Sequence, residues 1–370
     1  PRLVRGWSVV KRPTRLNAQG RRARLEGVPS PLPLAALPAP SATALPLLVP
    51  PPRFGETTFA NYRPQHPSQH AALERCEAFA RALEAAPARR WFWRRSTAGT
   101  VGQGLYLDGG FGVGKTHLLA ATYAAFGGER AYLSFAELVH LIGVLGMDEA
   151  SARFGERRLL CIDEFELDDP GNTLIVKTFL ARMIAAGNAV MTTSNTSPEA
   201  QGQGRFNAQD FEREIQSLAA HFEAVPIEGA DYRRRSQHAA LPSEDELAAL
   251  LRLEAENGFT QVTSTWSELF EVLRGLHPIR YQGLLAQVGV LYLSGARPIP
   301  DQNDALRFVG FIDKLYDLNL GLRLAGTLPL SELFDPSYRN SAYAKKHDRC
   351  LSRISELLEE APRPNPASAD

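Results

Sequence analysis

A glycine-rich loop at residues 109–116 carries residue types that bind phosphate. It reads Gly-Gly-Phe-Gly-Val-Gly-Lys-Thr, follows an apolar run at 104–107 and precedes an alanine-rich stretch that begins at His117. This order predicts a strand, a P-loop of the G-x-x-x-x-G-K-T type and a helix. Glycines allow successive backbone N–H groups to turn toward phosphate oxygens, and the helix adds its positive N-terminal end.

Two side chains of the loop have separate predicted tasks. Lys115 places a positive charge near the β- and γ-phosphates, and the hydroxyl of Thr116 is a ligand for Mg²⁺. The alternative, a glycine turn beside an unrelated lysine, is disfavoured by the flanking strand and helix patterns. The sequence therefore predicts a site for ATP and Mg²⁺, with the remaining nucleotide contacts made by Gly109, Gly110, Phe111, Gly112, Val113, Gly114 and His117.

Two adjacent carboxylates follow a second apolar run. Residues 159–162 read Leu-Leu-Cys-Ile and precede Asp163 and Glu164, a pattern typical of a buried parallel strand that ends in acidic residues. Acidic residues end many strands, and the pattern by itself is therefore weak. It becomes informative here because it follows a P-loop. We expect Asp163 to hold Mg²⁺ through water and Glu164 to polarise the attacking water. Cys161 is interpreted as a small buried apolar residue.

Asn195 is a third candidate catalytic residue. It ends the predicted strand at 189–195, next to the strand that ends in the two carboxylates. A neutral amide at that sheet edge can orient the lytic water between Glu164 and the γ-phosphate. In the alternative role, Asn195 caps or turns the chain before Pro198.

An alternation of strand and helix patterns positions these side chains. Apolar runs that resemble strands alternate with helical stretches through the first part of the chain, at 104–107, 131–135, 159–163, 189–195 and 221–227. The alternation predicts an α/β fold of the P-loop NTPase type, with a parallel sheet flanked by helices. A smaller C-terminal α/β module is predicted from helical patterns and strand-like runs at 266–274, 288–293, 305–316, 320–325 and 344–360.

The beginning of the chain differs in composition from the rest. Up to Arg24 it has eight basic residues and no acidic one, and proline is dense between residues 29 and 52. Because proline removes backbone donors and fixes φ, we expect a disordered basic tail over 1–52. A transit peptide is an alternative interpretation. The P-loop ATPase core is then assigned to 53–235 and the C-terminal module to 236–370.

Charge and cysteine content exclude several classes of protein. The chain has 41 Lys plus Arg and 41 Asp plus Glu, so no overall field attracts nucleic acid or membranes. Three widely spaced cysteines, Cys76, Cys161 and Cys350, form neither a disulfide framework nor a zinc pattern. No stretch approaches the roughly 18–20 apolar residues of a membrane span. We therefore expect a cytoplasmic protein without an integral membrane span.

Several strings together resemble the ZapE/AFG-type family of AAA+ ATPases. They are the P-loop string at 104–116, Cys-Ile-Asp-Glu-Phe at 161–165, Thr-Thr-Ser-Asn-Thr at 192–196, Asp-Tyr-Arg at 231–233, and two C-terminal blocks at 307–317 and 347–354. The similarity covers residues 54–360. It implies an AAA+-like fold. The alanine- and arginine-rich, lysine-poor composition indicates a bacterial source with a high-GC genome.

This resemblance implies an ATPase that remodels or regulates a protein partner. Bacterial members act at the division ring and mitochondrial relatives in inner-membrane protein quality control. The implied partner is therefore the FtsZ ring, and the implied location is the bacterial cytoplasm, with recruitment to the division site or membrane periphery. The family also implies a homo-oligomer, at least transiently.

In oligomeric AAA+ proteins an arginine of one subunit contacts the γ-phosphate bound to its neighbour. By resemblance, Arg205 is the candidate for this arginine finger, with Arg213 as the alternative. The spacing from Arg205 to Phe211 is longer than the family pattern, which leaves this assignment open. Arg307 is a candidate nucleotide sensor in the second module, and its alternative role is a salt bridge at the edge of the core.

Two other classes of function compete with this interpretation. Residues 134–138, Ser-Phe-Ala-Glu-Leu, also fit helicase-loader or transposition ATPases. Such proteins need a basic DNA-binding domain, and the chain after residue 236 has no basic stretch of that kind, so nucleic acid is disfavoured as a partner. A non-enzymatic scaffold that only binds nucleotide would not need Glu164.

Overall fold

The computed structural model describes residues 30–41, 45–85, 104–166, 170–196, 221–229, 240–255, 259–340 and 343–360. The described chain begins with a short strand, β1 (Leu32–Pro33), and continues to a long helix, α1 (Pro67–Ala85). Two parallel sheets follow, one of five strands and one of four. The predicted α/β class is therefore confirmed. Among the helices of these ranges, none has the length and apolar character needed to cross a membrane.

The first sheet contains the P-loop strand. Its strands are β2 (Gly104–Gly109), β3 (Arg130–Ser134), β4 (Leu159–Asp163), β5 (Ala189–Ser194) and β6 (Phe222–Ile227). They are all parallel, in the order β3-β4-β5-β2-β6. Since β4 lies next to β5, and β5 next to β2, the carboxyl ends of the three strands with candidate site residues lie side by side. This arrangement confirms the sheet expected from the sequence.

Helices cover both faces of this sheet: α2 (Lys115–Ala125), α3 (Phe135–Leu145), α4 (Met147–Gly155) and α5 (Pro170–Ala185). Two apolar clusters, one on each face, form its core. Helix α3 begins with a capping box, in which Ser134 and Glu137 satisfy each other's backbone N–H groups. The helical stretches expected between the strands are present as α2, α3 and α5, and α4 is an additional helix. We call residues 104–166, 170–196 and 221–229 the P-loop module.

The second module comprises residues 240–255, 259–340 and 343–360. It contains α6 (Glu244–Glu254), β7 (Gln261–Thr265), α7 (Trp266–Gly275), α8 (Tyr281–Leu285), β8 (Val290–Ala296), α9 (Gln302–Asp317), β9 (Gly321–Gly326) and α10 (Ala344–Glu359). Its sheet is also parallel, in the order β1-β7-β8-β9. A single large apolar cluster joins this sheet to α7, α9 and α10. The predicted C-terminal α/β module is confirmed, although β7 was not predicted.

Part of the segment predicted as a disordered tail is folded. Leu32 and Pro33 pair with β7 as an edge strand of the second sheet, and Leu34 is only 1% exposed in that module's core. Proline is tolerated at a sheet edge because its missing N–H costs no ladder hydrogen bond there. Proline density was therefore a poor guide to order over this part of the chain. Residues 1–29 lie outside the described residues.

We call residues 30–41 and 45–62 the N-terminal strap, because this segment contacts both modules. The N–H of Tyr132 in β3 donates to the Leu48 carbonyl at 3.0 Å. Arg53 forms ion pairs with Glu356 and Glu360 at the end of α10. Tyr62, near the end of the strap, donates its hydroxyl to the Val113 carbonyl in the P-loop at 3.0 Å. The strap therefore links the second module to the phosphate-binding loop.

Substituting Leu34 with alanine tests whether the strap is part of the fold. Because Leu34 is almost fully buried, we expect Leu34→Ala to lower the free energy of unfolding by about 2–5 kcal/mol. Urea denaturation followed by circular dichroism measures this change. Leu47, 71% exposed in the same strap, is the matched control, and Leu47→Ala should change stability by less than about 0.5 kcal/mol. Equal effects of the two substitutions would show that the strap is not packed as described.

Candidate functional site

The P-loop connects β2 to α2 through backbone conformations that glycine adopts most readily. Gly112 has φ 71° and Gly114 has φ 94°, both in the left-handed region. A Cβ on Gly114 would lie 2.5 Å from the ring of Tyr62 in the strap. A side chain at this position would therefore either strain the loop or displace the strap. The two glycines therefore give the loop backbone conformations that other residues adopt at a cost.

Lys115 lies at the start of α2, and its amine turns back over the loop. The Nζ atom donates to the carbonyls of Gly109 at 2.8 Å and Gly110 at 2.5 Å. It also donates to Oδ1 of Asn195 at 3.1 Å. The structure thus brings two predicted site residues from different parts of the chain into direct contact. A positive charge held between the loop and a polar amide is suited to a phosphate chain.

Thr116 and Asp163 form the corner predicted to hold a metal ion. The Thr116 hydroxyl donates to Oδ1 of Asp163 at 3.2 Å, and Tyr132 donates to Oδ2 at 2.9 Å. Burial raises the pKa of Asp163 above its usual value, and the adjacent charge of Glu164 raises it further. A hydroxyl and a buried carboxylate side by side are oxygen ligands of the kind that Mg²⁺ prefers. The residues present therefore fit a magnesium ion.

Glu164 has an unusual backbone conformation for a residue other than glycine. Its φ is 53°, in the left-handed region, which costs energy for a residue with a Cβ. Two hydrogen bonds hold it there, because its N–H is shared between Oδ1 of Asp163 at 3.1 Å and Oγ1 of Thr193 at 3.0 Å. Backbone strain of this kind is concentrated at functional sites. The conformation turns the chain sharply, directly after β4.

The carboxylate of Glu164 is bound by two arginines of α10. Oε1 lies 3.0 Å from Nη2 of Arg353 and 3.3 Å from Nη1 of Arg349. Burial by itself would raise the pKa of Glu164, but the charges of Arg349 and Arg353 outweigh that effect and lower the pKa below its usual range. Glu164 is therefore ionised at neutral pH, as a residue that polarises water must be.

Asn195 connects the P-loop to the loop that follows β4. Its Nδ2 donates to Oε1 of Glu166 at 3.0 Å, while its Oδ1 accepts from Lys115. Lys346 of α10 lies 3.7 Å from the other oxygen of Glu166. The side chain thus points into the polar cluster around the P-loop, as the sensor interpretation requires. The sensor role itself stays a prediction.

Two further candidate residues, His117 and Arg307, contact the N-terminal strap and the second module, respectively. The Nε2 atom of His117 lies 3.0 Å from the carbonyl of Thr58, and its ring is 5.2 Å from that of Tyr62. Its side chain therefore contacts the strap. Arg307 donates to the carbonyls of Leu273 at 2.8 Å and Leu276 at 3.1 Å, inside the second module. These contacts do not support a nucleotide-sensor role for Arg307.

Arg205, its alternative Arg213, and the Asp-Tyr-Arg string at 231–233 lie outside the described residues. Both finger assignments stay predictions.

Sequence reasoning missed the two arginines that bind Glu164. Arg349 and Arg353 lie in the C-terminal block that carried the family resemblance, and they are four residues apart on α10. That spacing puts both side chains on one face of a helix, which was the available signal. The identity of their partner was not available, because Glu164 is 189 positions away from Arg353 in sequence.

A cavity of about 930 Å³ adjoins the two carboxylates. Asp163 and Glu164 lie on one wall, Lys314 and Asp317 of α9 on another, and Leu47 of the strap on a third. Burial raises the pKa of Asp317 to about 7, partly offset by the charge of Arg353. The carboxylate edge of the first sheet can therefore be reached from between the two modules.

Comparison with known proteins gives one family match and one group of relatives. The AFG1-like ATPase family matches residues 43–269. The chain is 25% identical over 320 residues to cell division protein ZapE of Escherichia coli, covering 75% of this chain and 84% of that protein. Solved structures that match part of the chain include the DnaC helicase loader (19% identity, 48% of this chain, 99% of that one, TM-score 0.36) and DnaI (19%, 50%, 94%, 0.40).

Proposed function

The chain belongs to the AFG1-like ATPase family, and from this premise we propose that it hydrolyses ATP in a Mg²⁺-dependent reaction that acts on a protein partner. One observation carries the hydrolytic part of the proposal. Lys115 and Thr116 of the P-loop form hydrogen bonds with Asn195 and Asp163, respectively, at the carboxyl edge of the first sheet, and Glu164 follows Asp163 in the chain. Binding a nucleotide needs the first two of these residues, whereas hydrolysis also needs a group for the water.

The proposed roles follow from these positions. The P-loop backbone and Lys115 bind the β- and γ-phosphates, and Asn195 fixes the direction of the Lys115 amine. Thr116 and Asp163 would hold Mg²⁺, which when bound neutralises charge on the phosphate oxygens. Glu164 accepts a hydrogen bond from the attacking water and so aligns it with the γ-phosphate.

The partner and the cellular setting are the finer part of the proposal. The similar Escherichia coli protein is a cell division protein, which supports a role at cell division and a protein partner, with the FtsZ ring as the candidate. We also propose that the protein is bacterial and cytoplasmic, is recruited to the division site or the membrane periphery, and forms at least a transient homo-oligomer. In such an oligomer Arg205 would act on the neighbouring subunit's γ-phosphate.

A variant that binds but does not hydrolyse ATP tests the partner proposal. We expect Glu164→Gln with Mg-ATP to co-sediment with purified FtsZ polymers at least about threefold more than Lys115→Ala, because slow hydrolysis prolongs the ATP-bound state. Sedimentation followed by gel densitometry measures this ratio. The two variants differ from each other only in the ATP-binding site, so each serves as the other's matched control. Equal recovery would rule out FtsZ as a partner recognised in the ATP-bound state.

A further inference from the structure

One face of α10 presents three cations to the loop that follows β4. Lys346, Arg349 and Arg353 are spaced by three and four residues, so they lie on one side of the helix. Arg349 and Arg353 contact Glu164, and Lys346 lies near Glu166. The second module therefore contacts the catalytic loop of the P-loop module through charged side chains.

Arg349 and Arg353 belong to a group of four charges, of which three are buried and the fourth, Glu164, is partly exposed. Arg349 also binds Asp313 of α9 at 2.6 Å, and Arg353 forms an ion pair with the other oxygen of Asp313. The side chains of both arginines and of Asp313 are 7%, 8% and 13% exposed, and that of Glu164 is 32% exposed. Two positive and two negative charges balance within this group. Both arginines thus pair with Asp313 inside the second module and with Glu164 in the candidate catalytic site, and Arg353 also lies over the ring of Tyr316.

The geometry at Glu164 differs between its two oxygens. Within the described ranges, the hydrogen bond and both ion pairs of this carboxylate involve Oε1. A carboxylate has two oxygens and about four lone-pair positions, so binding at Oε1 leaves acceptor capacity at Oε2. Charge-assisted hydrogen bonds from arginine are strong and directional. The arginines therefore fix the orientation of the carboxylate without using all of its capacity to accept hydrogen bonds.

Other ion pairs also join the second module to the rest of the chain. Lys314 of α9 binds Glu137 of α3 at 2.8 Å, and Arg53 of the strap binds Glu360 at 2.7 Å. These pairs can hold the module in place without contact with Glu164. Holding the modules together therefore does not require that two buried arginines be directed at the candidate catalytic glutamate.

We propose that Arg349 and Arg353 are positioning residues for hydrolysis, which hold Glu164 through Oε1 so that Oε2 faces the attacking water. The inference rests on the proposed ATPase function and extends it. The hydrolytic site is then built from two modules, and hydrolysis requires that α10 be docked against the loop after β4. A partner that shifts the second module would change the rate of hydrolysis without contacting ATP.

The test separates hydrolysis from ATP binding. We expect Arg353→Met to lower kcat at least about tenfold while the Kd for a fluorescent ATP analogue changes less than about threefold. Arg353→Lys should recover part of kcat, because a lysine can still donate to Oε1, although with one ammonium instead of a planar fork. Arg349→Met should behave like Arg353→Met, with a smaller loss, since its contact with Oε1 is longer.

A buried arginine whose ion-pair partner is Glu254 provides the control for lost stability. Arg323 of β9 pairs with Glu254 at 2.7 Å, and the two side chains are 10% and 11% exposed. Arg323→Met therefore breaks a buried ion pair of the same type inside the second module. We expect it to lower the melting temperature about as much as Arg353→Met does, while kcat at a temperature well below melting stays near the wild-type value.

A double-mutant cycle tests whether Arg353 affects hydrolysis through Glu164 or independently of it. If Arg353 acts through Glu164, adding Arg353→Met to Glu164→Gln should cause almost no further loss of kcat. A further tenfold loss in the double variant, a gain of activity in Arg353→Met, or a loss matched by Arg323→Met would each overturn the inference. Wild-type protein that binds ATP without hydrolysing it would instead overturn the proposed function. Hydrolysis that survives Arg353→Met would overturn this inference alone.

Discussion

Replacing Lys115 with alanine is expected to abolish nucleotide-dependent activity, because this side chain carries the positive charge of the P-loop. The amine is 2.8 Å from the Gly109 carbonyl and 3.1 Å from the Asn195 amide oxygen, so it lies between the P-loop and the residue that follows β5. Lys115→Ala should lower kcat/KM for ATP by at least about a hundredfold, with weaker binding as part of the loss. Phosphate release and equilibrium binding of a fluorescent ATP analogue measure the two components.

Arg81→Ala is the matched control for this loss. Arg81 is also a long cationic side chain, on α1, and its side chain is 70% exposed. Its removal should leave ATP binding and hydrolysis unchanged, since surface ion pairs contribute little. If Lys115→Ala and Arg81→Ala bound ATP equally well, the loop would not be the nucleotide site.

Replacing Glu164 with glutamine should separate hydrolysis from binding. The change removes a charge and keeps the size of the side chain, while the phosphate-binding groups of the P-loop remain. We expect kcat to fall at least about a hundredfold and the Kd for ATP to change less than about threefold, because Glu164 acts on the water and not on the phosphate chain. Steady-state phosphate release at saturating ATP, beside equilibrium binding, gives both values.

Glu129→Gln is the control for a lost carboxylate. Glu129 forms a surface ion pair with Arg157, and its side chain is 68% exposed. Its substitution should leave both kcat and Kd unchanged. In a scaffold that only binds nucleotide, Glu164→Gln, Glu129→Gln and the wild type would have the same kcat and Kd. This result would favour the scaffold interpretation over the ATPase interpretation.

Local sequence patterns were sufficient for most of the fold. The strands of the first sheet are short apolar runs bounded by polar or glycine residues, and a buried parallel strand produces that pattern directly. The edge strand Leu32–Pro33 could not be found in this way. It is two residues long, contains proline and depends on a partner, Val262–Thr263, that lies more than two hundred positions away. Its order comes from tertiary packing of Leu34, which composition does not reveal.

In the candidate site, the residues within local motifs could be predicted from the sequence, and the residues contributed by the second module could not. One loop motif contains Lys115 and Thr116, and one strand end contains Asp163 and Glu164. The local sequence is therefore enough to identify these four residues. The fold places Lys115 in hydrogen-bond contact with Asn195, and Thr116 with Asp163. Arg349 and Arg353 act across two modules, and the docking of α10 depends on Asp313, Glu164 and the strap together. No local pattern specifies such a contact.

The central claim, that this edge of the sheet hydrolyses ATP, is tested most directly by phosphate release from saturating ATP. The wild-type protein should release phosphate with Mg²⁺, release almost none with EDTA, and lose the Mg²⁺-dependent rate when Glu164 is replaced by glutamine. Equal phosphate release by the wild type and Glu164→Gln, with both proteins saturated with ATP, would contradict the account.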